Sequence, residues 1–131
     1  MVFPSGLKVV SSNAFNGCTG LQEMNLPDSV TEIGYRAFYN CSGLTSFRYP
    51  KSWATANSQI FTGCTNLTSI SVPEGVTSIP GYAFNDATSL KTITLPSTLN
   101  EIGSYAFSGC TVLENPVLPD SLTTIGSYAF S

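Results

Sequence analysis

The dipeptide Ala-Phe recurs at a fixed interval, and no other feature restricts the folding of this chain as tightly. It stands at Ala14-Phe15, Ala37-Phe38, Ala83-Phe84, Ala106-Phe107 and Ala129-Phe130, with Ile60-Phe61 filling the gap in the series. The interval is 23 residues throughout, with no insertion or deletion. A fixed period of that length is the signature of a solenoid, in which a repeat buries its apolar side only against its neighbours.

Laid out in rows of 23, the chain falls into columns. Seven residues after each Ala (or Ile60) is a leucine: Leu21, Leu44, Leu67, Leu90, Leu113. Three further on are Met24, Phe47, Ile70, Ile93 and, out of character, Pro116. Two beyond those come Leu26, Tyr49, Val72, Leu95 and Leu118, each followed by a proline. Then follow Val30, Trp53, Val76, Leu99, Leu122, and after them Ile33, Ala56, Ile79, Ile102, Ile125. Phe3, Pro4, Leu7 and Val10 fit the same frame. Residues 1–131 therefore read as one domain: a partial repeat over 1–13, repeats starting at Ala14, Ala37, Ile60, Ala83 and Ala106, and a stub at Ala129–Ser131. Neither end carries a polar cap, so the expectation is a fragment of a longer array.

Spacing assigns local structure. In each Leu-x-x-Ile-x-Leu stretch the last two apolar residues are two apart, as one face of a strand requires. Proline then ends the strand and opens a turn. The "IGxxAF" segment is too short for a helix and predicts a turn or 3-10 piece. Gly34, Gly103 and Gly126, with Asn57 and Pro80-Gly81 in other rows, are expected to make the bend there. Pro116 falls in the last strand, where its missing N–H is tolerable only toward the open edge.

Two rows, "LTSISVPEGVTSIPGYAFNDATS" and "LKTITLPSTLNEIGSYAFSGCTV", resemble the 23-residue leucine-rich repeat of BspA-like bacterial surface proteins, the Treponema type. The resemblance implies an α/β-type repeat solenoid: a right-handed superhelix with a parallel sheet on its concave face and turn or 3-10 segments on its convex face, with little α-helix. It also implies a non-catalytic recognition or adhesion module, displayed at the cell surface or secreted, that binds a host extracellular-matrix or cell-surface protein. The alternative is a spacer or stalk that self-associates end to end.

Cys18, Cys41, Cys64 and Cys110 share one column, with Ala87 in the remaining row. Zinc needs four sulfurs about 2.3 Å from one point. Sulfurs that step one strand spacing per row spread over roughly 19 Å, so no metal site is expected. A disulfide between Cys18 and Cys41, or between Cys41 and Cys64, stays open as an alternative, although laddered side chains stand too far apart for good geometry. The plain reading is a small buried hydrophobe, since alanine replaces it.

With no histidine, the commonest general base is missing. The carboxylates Asp28, Glu74 and Asp120 follow the prolines and line up with the turns. No phosphate-cradling loop precedes a helix, so neither enzymatic activity nor a cofactor is expected. Only 10% of residues are charged, the net charge is −3, and Lys8, Arg36, Arg48, Lys51 and Lys91 are scattered. That pattern offers nothing to nucleic acid. No apolar run reaches the roughly 18–20 residues of a membrane span, and the N-terminus lacks the features of a signal peptide.

The candidate binding surface is therefore the concave face. Its polar positions include Glu23, Asn25, Ser46, Arg48, Ser69, Ser71, Lys91, Thr92 and Thr94, a Ser/Thr field between two cations. The bland alternative is that hydroxyl residues merely keep a strand face wet. The row "FRYPKSWATANSQIF" departs from the pattern: Trp53 and Ile60 are large where other rows are small, and Ala56 is the reverse. Compensated packing explains this; the other reading is an anchoring aromatic patch of Tyr49 and Trp53. Tyr82, Tyr105 and Tyr128 form a further column, read as convex packing with hydroxyls in water.

Overall fold

A computed structural model of the chain describes residues 2–53, 55–56 and 58–131, with Thr55 and Ala56 described by their backbone alone. The bend expected at Asn57 and the packing of the Ala56 side chain lie outside what is described. The strands are short: β1 (Val9–Val10), β2 (Glu23–Asn25), β3 (Glu32–Ile33), β4 (Ser46–Arg48), β5 (Thr55–Ala56), β6 (Ser69–Ser71), β7 (Ser78–Ile79), β8 (Thr92–Thr94), β9 (Glu101–Ile102) and β10 (Thr124–Ile125). All pairing is parallel and joins residues one repeat apart, as in Met24 with Phe47, Ile70 with Ile93 and Ile79 with Ile102. The columns of the sequence are the register of the sheets.

The architecture is a parallel-strand β-solenoid of about five coils. No helix occurs among the described residues, so the α/β label does not describe it. Each full coil through β9 carries two strands rather than one: a three-residue strand (β2, β4, β6, β8) and a two-residue strand (β3, β5, β7, β9). The second was not expected, yet it has a sequence signal, a Thr or Asn two residues before each buried isoleucine of that column.

The segment before and around each Ala-Phe is a turn of a particular kind. Alternate amides bond within the coil (Ala37 N to Gly34 O, Tyr39 N to Arg36 O and Cys41 N to Phe38 O, 3.2 Å each). The amides between them reach the next coil, as Phe38 N to Ile60 O (3.1 Å) and Asn40 N to Thr62 O (2.8 Å). A continuous 3-10 helix would turn every donor inward; alternation requires left-handed residues between right-handed ones. The whole column Asn13, Arg36, Gln59, Tyr82, Tyr105 and Tyr128 accordingly has φ of 55–60°. A second such column holds Gly17, Asn40, Gly63, Asp86 and Gly109, the residue types that tolerate it best. Gly34, Gly103 and Gly126 are not left-handed. They are glycine because the backbone of the preceding coil (Ser12, Gly81 and Ser104) sits where a Cβ would be.

Inside the turns runs a stack of six phenylalanines. Phe15, Phe38, Phe61, Phe84, Phe107 and Phe130 are separated centroid to centroid by 5.3, 5.5, 5.2, 5.4 and 5.3 Å, with ring planes within 9° of parallel. The four central rings are at most 1% exposed. Leu44, Leu67, Leu90 and the isoleucines of the two-residue strands close the core around them.

The sheets are less continuous than the stack. The three-residue strands pair as β2 with β4 and β6 with β8; the two-residue strands pair as β1-β3-β5 and β7-β9-β10. Among the described residues the second coil is thus unzipped from the third between β4 and β6. There Phe47, Tyr49 and Trp53 replace the aliphatics of other rows, and they pack with Phe61 in an aromatic cluster, Phe47 at 4.6 Å from Phe61 and Tyr49 at 4.5 Å from Trp53. Three rings thus stand where the following row carries Ile70, Val72 and Val76, at the junction where β4 and β6 do not pair. A second gap opens after β8. Glu114 N still bonds Lys91 O at 2.8 Å, but residues 113–119 form no strand.

Pro116 accounts for this gap, through its ring torsion rather than its missing donor. It occupies the column of Ile70 and Ile93, whose peptide groups face the following coil, so its nitrogen points away from β8. Its ring, however, fixes φ near −65°, away from the parallel-strand value of about −120°. The last bond to the preceding coil, at Glu114 N, comes two residues before it.

Candidate functional site

Strand alternation decides what the three-residue sheet displays. In β2, β4 and β6 the central residue is buried and both flanking residues are exposed; in β8, Ile93 is half-buried between exposed Thr92 and Thr94. Every candidate at these positions therefore lies on the open face: Glu23, Asn25, Ser46, Arg48, Ser69, Ser71, Thr92 and Thr94, with exposed Lys91 just before β8. Pairing sets Glu23 beside Ser46 and Asn25 beside Arg48, and separately Ser69 beside Thr92 and Ser71 beside Thr94. The unzipped junction divides the field into two patches.

The cations do not stand free. Arg48 reaches back one coil, donating to Leu26 O at 2.8 Å and pairing with Asp28 at 3.0 Å. The Arg48 hydrogen bond holds the Asp28 carboxyl below its ordinary range, and the same pairing raises the guanidinium. Lys91 lies 3.6 Å from Glu114, with both side chains well exposed. Asn25 donates to Glu23 at 3.2 Å. By contrast the hydroxyls of Ser69, Ser71, Thr92 and Thr94 make no hydrogen bond among the described residues. What the face offers is a neutral block of four free hydroxyls flanked by self-paired ions.

Beside that block lies a cleft of about 480 Å³, lined by Thr92, Ile93, Thr94, Asn115, Pro116 and Val117, with Glu74 and Ser97 at its margin. Val72 N bonds Thr94 O at 2.9 Å, and Thr92 N reaches Thr68 O at 3.4 Å. Thr92 and Thr94 thus turn their peptide groups toward β6. Ile93, between them, turns its own N–H and C=O into the cleft, where neither finds a partner among the described residues. Glu74 is occupied in accepting from Ser97 N (2.9 Å) and Ser97 Oγ (2.8 Å), bonds that lower its pKa. Composition gave no hint of this open edge, although Pro116 in an isoleucine column was its signal.

Tyr49 and Trp53 form no displayed patch: they are 5% and 6% exposed and pack against each other inside, their rings tilted by 35°. Burial pushes the Tyr49 hydroxyl far above its ordinary pKa. A pocket of about 140 Å³ beside them, bounded by Lys51 and Gly75–Ser78, is small.

The thiol column is structural. Cys41, Cys64 and Cys110 each donate Sγ–H to the carbonyl of a phenylalanine in the preceding coil (Phe15, Phe38 and Phe84) at 3.0, 3.2 and 3.2 Å. Burial pushes their pKa up to about 11, 12 and 12, the reverse of what a reactive thiolate needs. Cys18, in the first coil, is exposed, and all four cysteines are free.

A family model for the BspA type leucine-rich repeat region matches six copies, over residues 1–113 and 57–131. The chain belongs to the BspA-type leucine-rich repeat family. Solved structures of similar proteins agree with this repeat solenoid. A leucine-rich cell surface protein from Faecalibacterium prausnitzii is 37% identical over 87% of this chain, with a TM-score of 0.82. A leucine-rich repeat protein from Eubacterium ventriosum is 31% identical over 98%, with a TM-score of 0.86. The leucine-rich repeat protein of T. pallidum is 25% identical over 92%, with a TM-score of 0.68. This BspA-type chain spans 30% and 35% of the length of the first two and 67% of the third. Among curated proteins no relative matches it.

Proposed function

We propose that this BspA-type array is a non-catalytic recognition module of a cell-surface protein, and that it contacts a host extracellular-matrix or cell-surface protein through the concave face. The observation that carries the reading is the open edge at Ile93. A backbone N–H and C=O presented beside four free hydroxyls are complemented by another polypeptide, added as an extended segment along β8. A right-handed coil path, the general rule for parallel crossovers, goes with this reading. So does a surface location, which the description of the Faecalibacterium protein favours.

The test is binding of the labelled chain to an array of extracellular-matrix proteins. Thr92→Arg with Thr94→Arg should abolish a positive signal, and Pro116→Ile, which closes the edge, should weaken it at least fivefold. Retention by both variants would refute concave recognition. The second reading, a self-associating stalk, draws on exposed apolar side chains such as Val117 (86%) and Tyr128 (65%). Concentration-dependent dimers in sedimentation, with a bare array, would favour it.

A further inference from the structure

The turn side carries a cation built differently from the two on the concave face. The Arg36 guanidinium carbon lies 5.0 Å from the Tyr35 ring centroid and 4.6 Å from that of Tyr39. Its Nε donates to Gln59 Oε1 in the next coil at 2.7 Å, and the same oxygen accepts from the Tyr35 hydroxyl at 3.1 Å. Nη1 and Nη2 make no hydrogen bond, and no carboxylate lies within ion-pair distance, among the described residues. The residue sits in the left-handed column, at φ 55°, where rows further along carry tyrosine.

A long side chain ordinarily loses rotamer freedom when it binds, and that loss offsets much of a surface ion pair. Arg36 has already lost it. Two rings and one amide hold the guanidinium plane, and the one inward donor, Nε, is used. What remains is the two-nitrogen edge, whose parallel N–H groups match the two oxygens of a carboxylate.

We propose that Arg36, held by Tyr35, Tyr39 and Gln59, is a carboxylate-binding subsite on the turn face, separate from the concave surface. The carboxylate belongs either to an acidic sugar or to an acidic peptide side chain or terminus; both present the same planar group. A lysine in this place would keep the charge and lose the fork.

The experiment is a titration of the intact chain with sodium glucuronate and with N-acetylglycine, following the Arg36 Nε–H resonance at constant ionic strength. Both probes should shift it along a saturable curve, in about the millimolar range expected of a single ion pair. Methyl glucoside and sodium chloride should not. Arg36→Lys, which faces the same backbone conformation, should weaken glucuronate binding at least fivefold, read on neighbouring backbone amides. Gln59→Ala, which frees the guanidinium but leaves its charge, should weaken it about threefold. Tighter glucuronate identifies a sugar source and tighter N-acetylglycine a peptide source; either supports the subsite. An equal response to chloride, a response that never saturates, or full binding by Arg36→Lys overturns it.

Discussion

Two junctions between coils of the same protein behave in opposite ways. Between the third and fourth coils, β6 and β8 form a parallel ladder with isoleucine against isoleucine. Between the second and third, no ladder joins β4 to β6 among the described residues. Yet both junctions carry the same phenylalanine stacking, 5.2 Å in the zipped case and 5.5 Å in the coil before it, and the same turn-to-turn hydrogen bonds. The continuous spine of this solenoid is therefore its turn side. Strand pairing on the concave side is local, granted or withheld by the side chains of each row.

The largest effect should come from breaking the spine itself. Phe61→Ala removes a fully buried ring from the middle of the stack and from the aromatic cluster. It should cost about 3–5 kcal/mol in urea unfolding. Leu118→Ala, at a side chain 42% exposed in the unpaired segment, should stay within about 1 kcal/mol. Comparable losses at both sites would remove the distinction between spine and sheet.

Next come variants that convert one junction into the other. Replacing Phe47, Tyr49 and Trp53 by Ile, Val and Val, the residues of the following row, should let β4 pair with β6. The readout is slowed hydrogen exchange at the Phe47 amide by at least tenfold. Pro116→Ile should slow the Ile93 amide in the same way. Unchanged exchange would show that side-chain size and the proline ring do not set the gaps.

A smaller effect concerns the thiol column. Cys64→Ala loses one Sγ–H···O bond and little volume, and should cost about 1 kcal/mol; the chain already carries alanine at Ala87. In the folded protein, a thiol reagent should modify Cys18 quickly and leave Cys41 and Cys64 untouched. Smallest is the acid limb. The folded pKa values of Asp28 and Glu74 lie below 3.8 and 4.5. Their bonds therefore contribute fully above those values, and the contribution fades as pH falls through the lowered ones. Asp28→Asn and Glu74→Gln together should flatten stability against pH below about pH 4.5.

Much of this was legible because the chain is periodic. The unbroken 23-residue interval in the Ala-Phe column led straight to parallel register, the core columns and the polar faces of β2, β4, β6 and β8. Departures from the period were visible too, as Trp53 and Pro116, but their consequences were not. Trp53 and Ile60 pack in the core as the compensated reading expects, while the Ala56 side chain lies outside the described residues; that the aromatic row also leaves β4 unpaired from β6 is a consequence the columns do not show. The missing N–H of Pro116 is harmless where it points away from β8; the fixed torsion of its ring is the feature that bears on the ladder. The Arg36 clamp went unseen because its parts, Arg36 with Tyr35 and Gln59, meet only when successive coils stack.

Hydrogen exchange along one column tests the central claim directly. Met24, Phe47, Ile70 and Ile93 occupy equivalent positions, and each turns its amide toward the following coil. Met24 and Ile70 face zipped junctions; Phe47 and Ile93 face open ones. The account predicts alternation, slow, fast, slow and fast, with steps of about a hundredfold. It also predicts uniformly slow amides at Phe38, Phe61, Phe84 and Phe107, all bonded to the next coil at 2.7–3.1 Å. Uniform protection down the Met24 column, or a fast amide at Phe61 or Phe84, would contradict it.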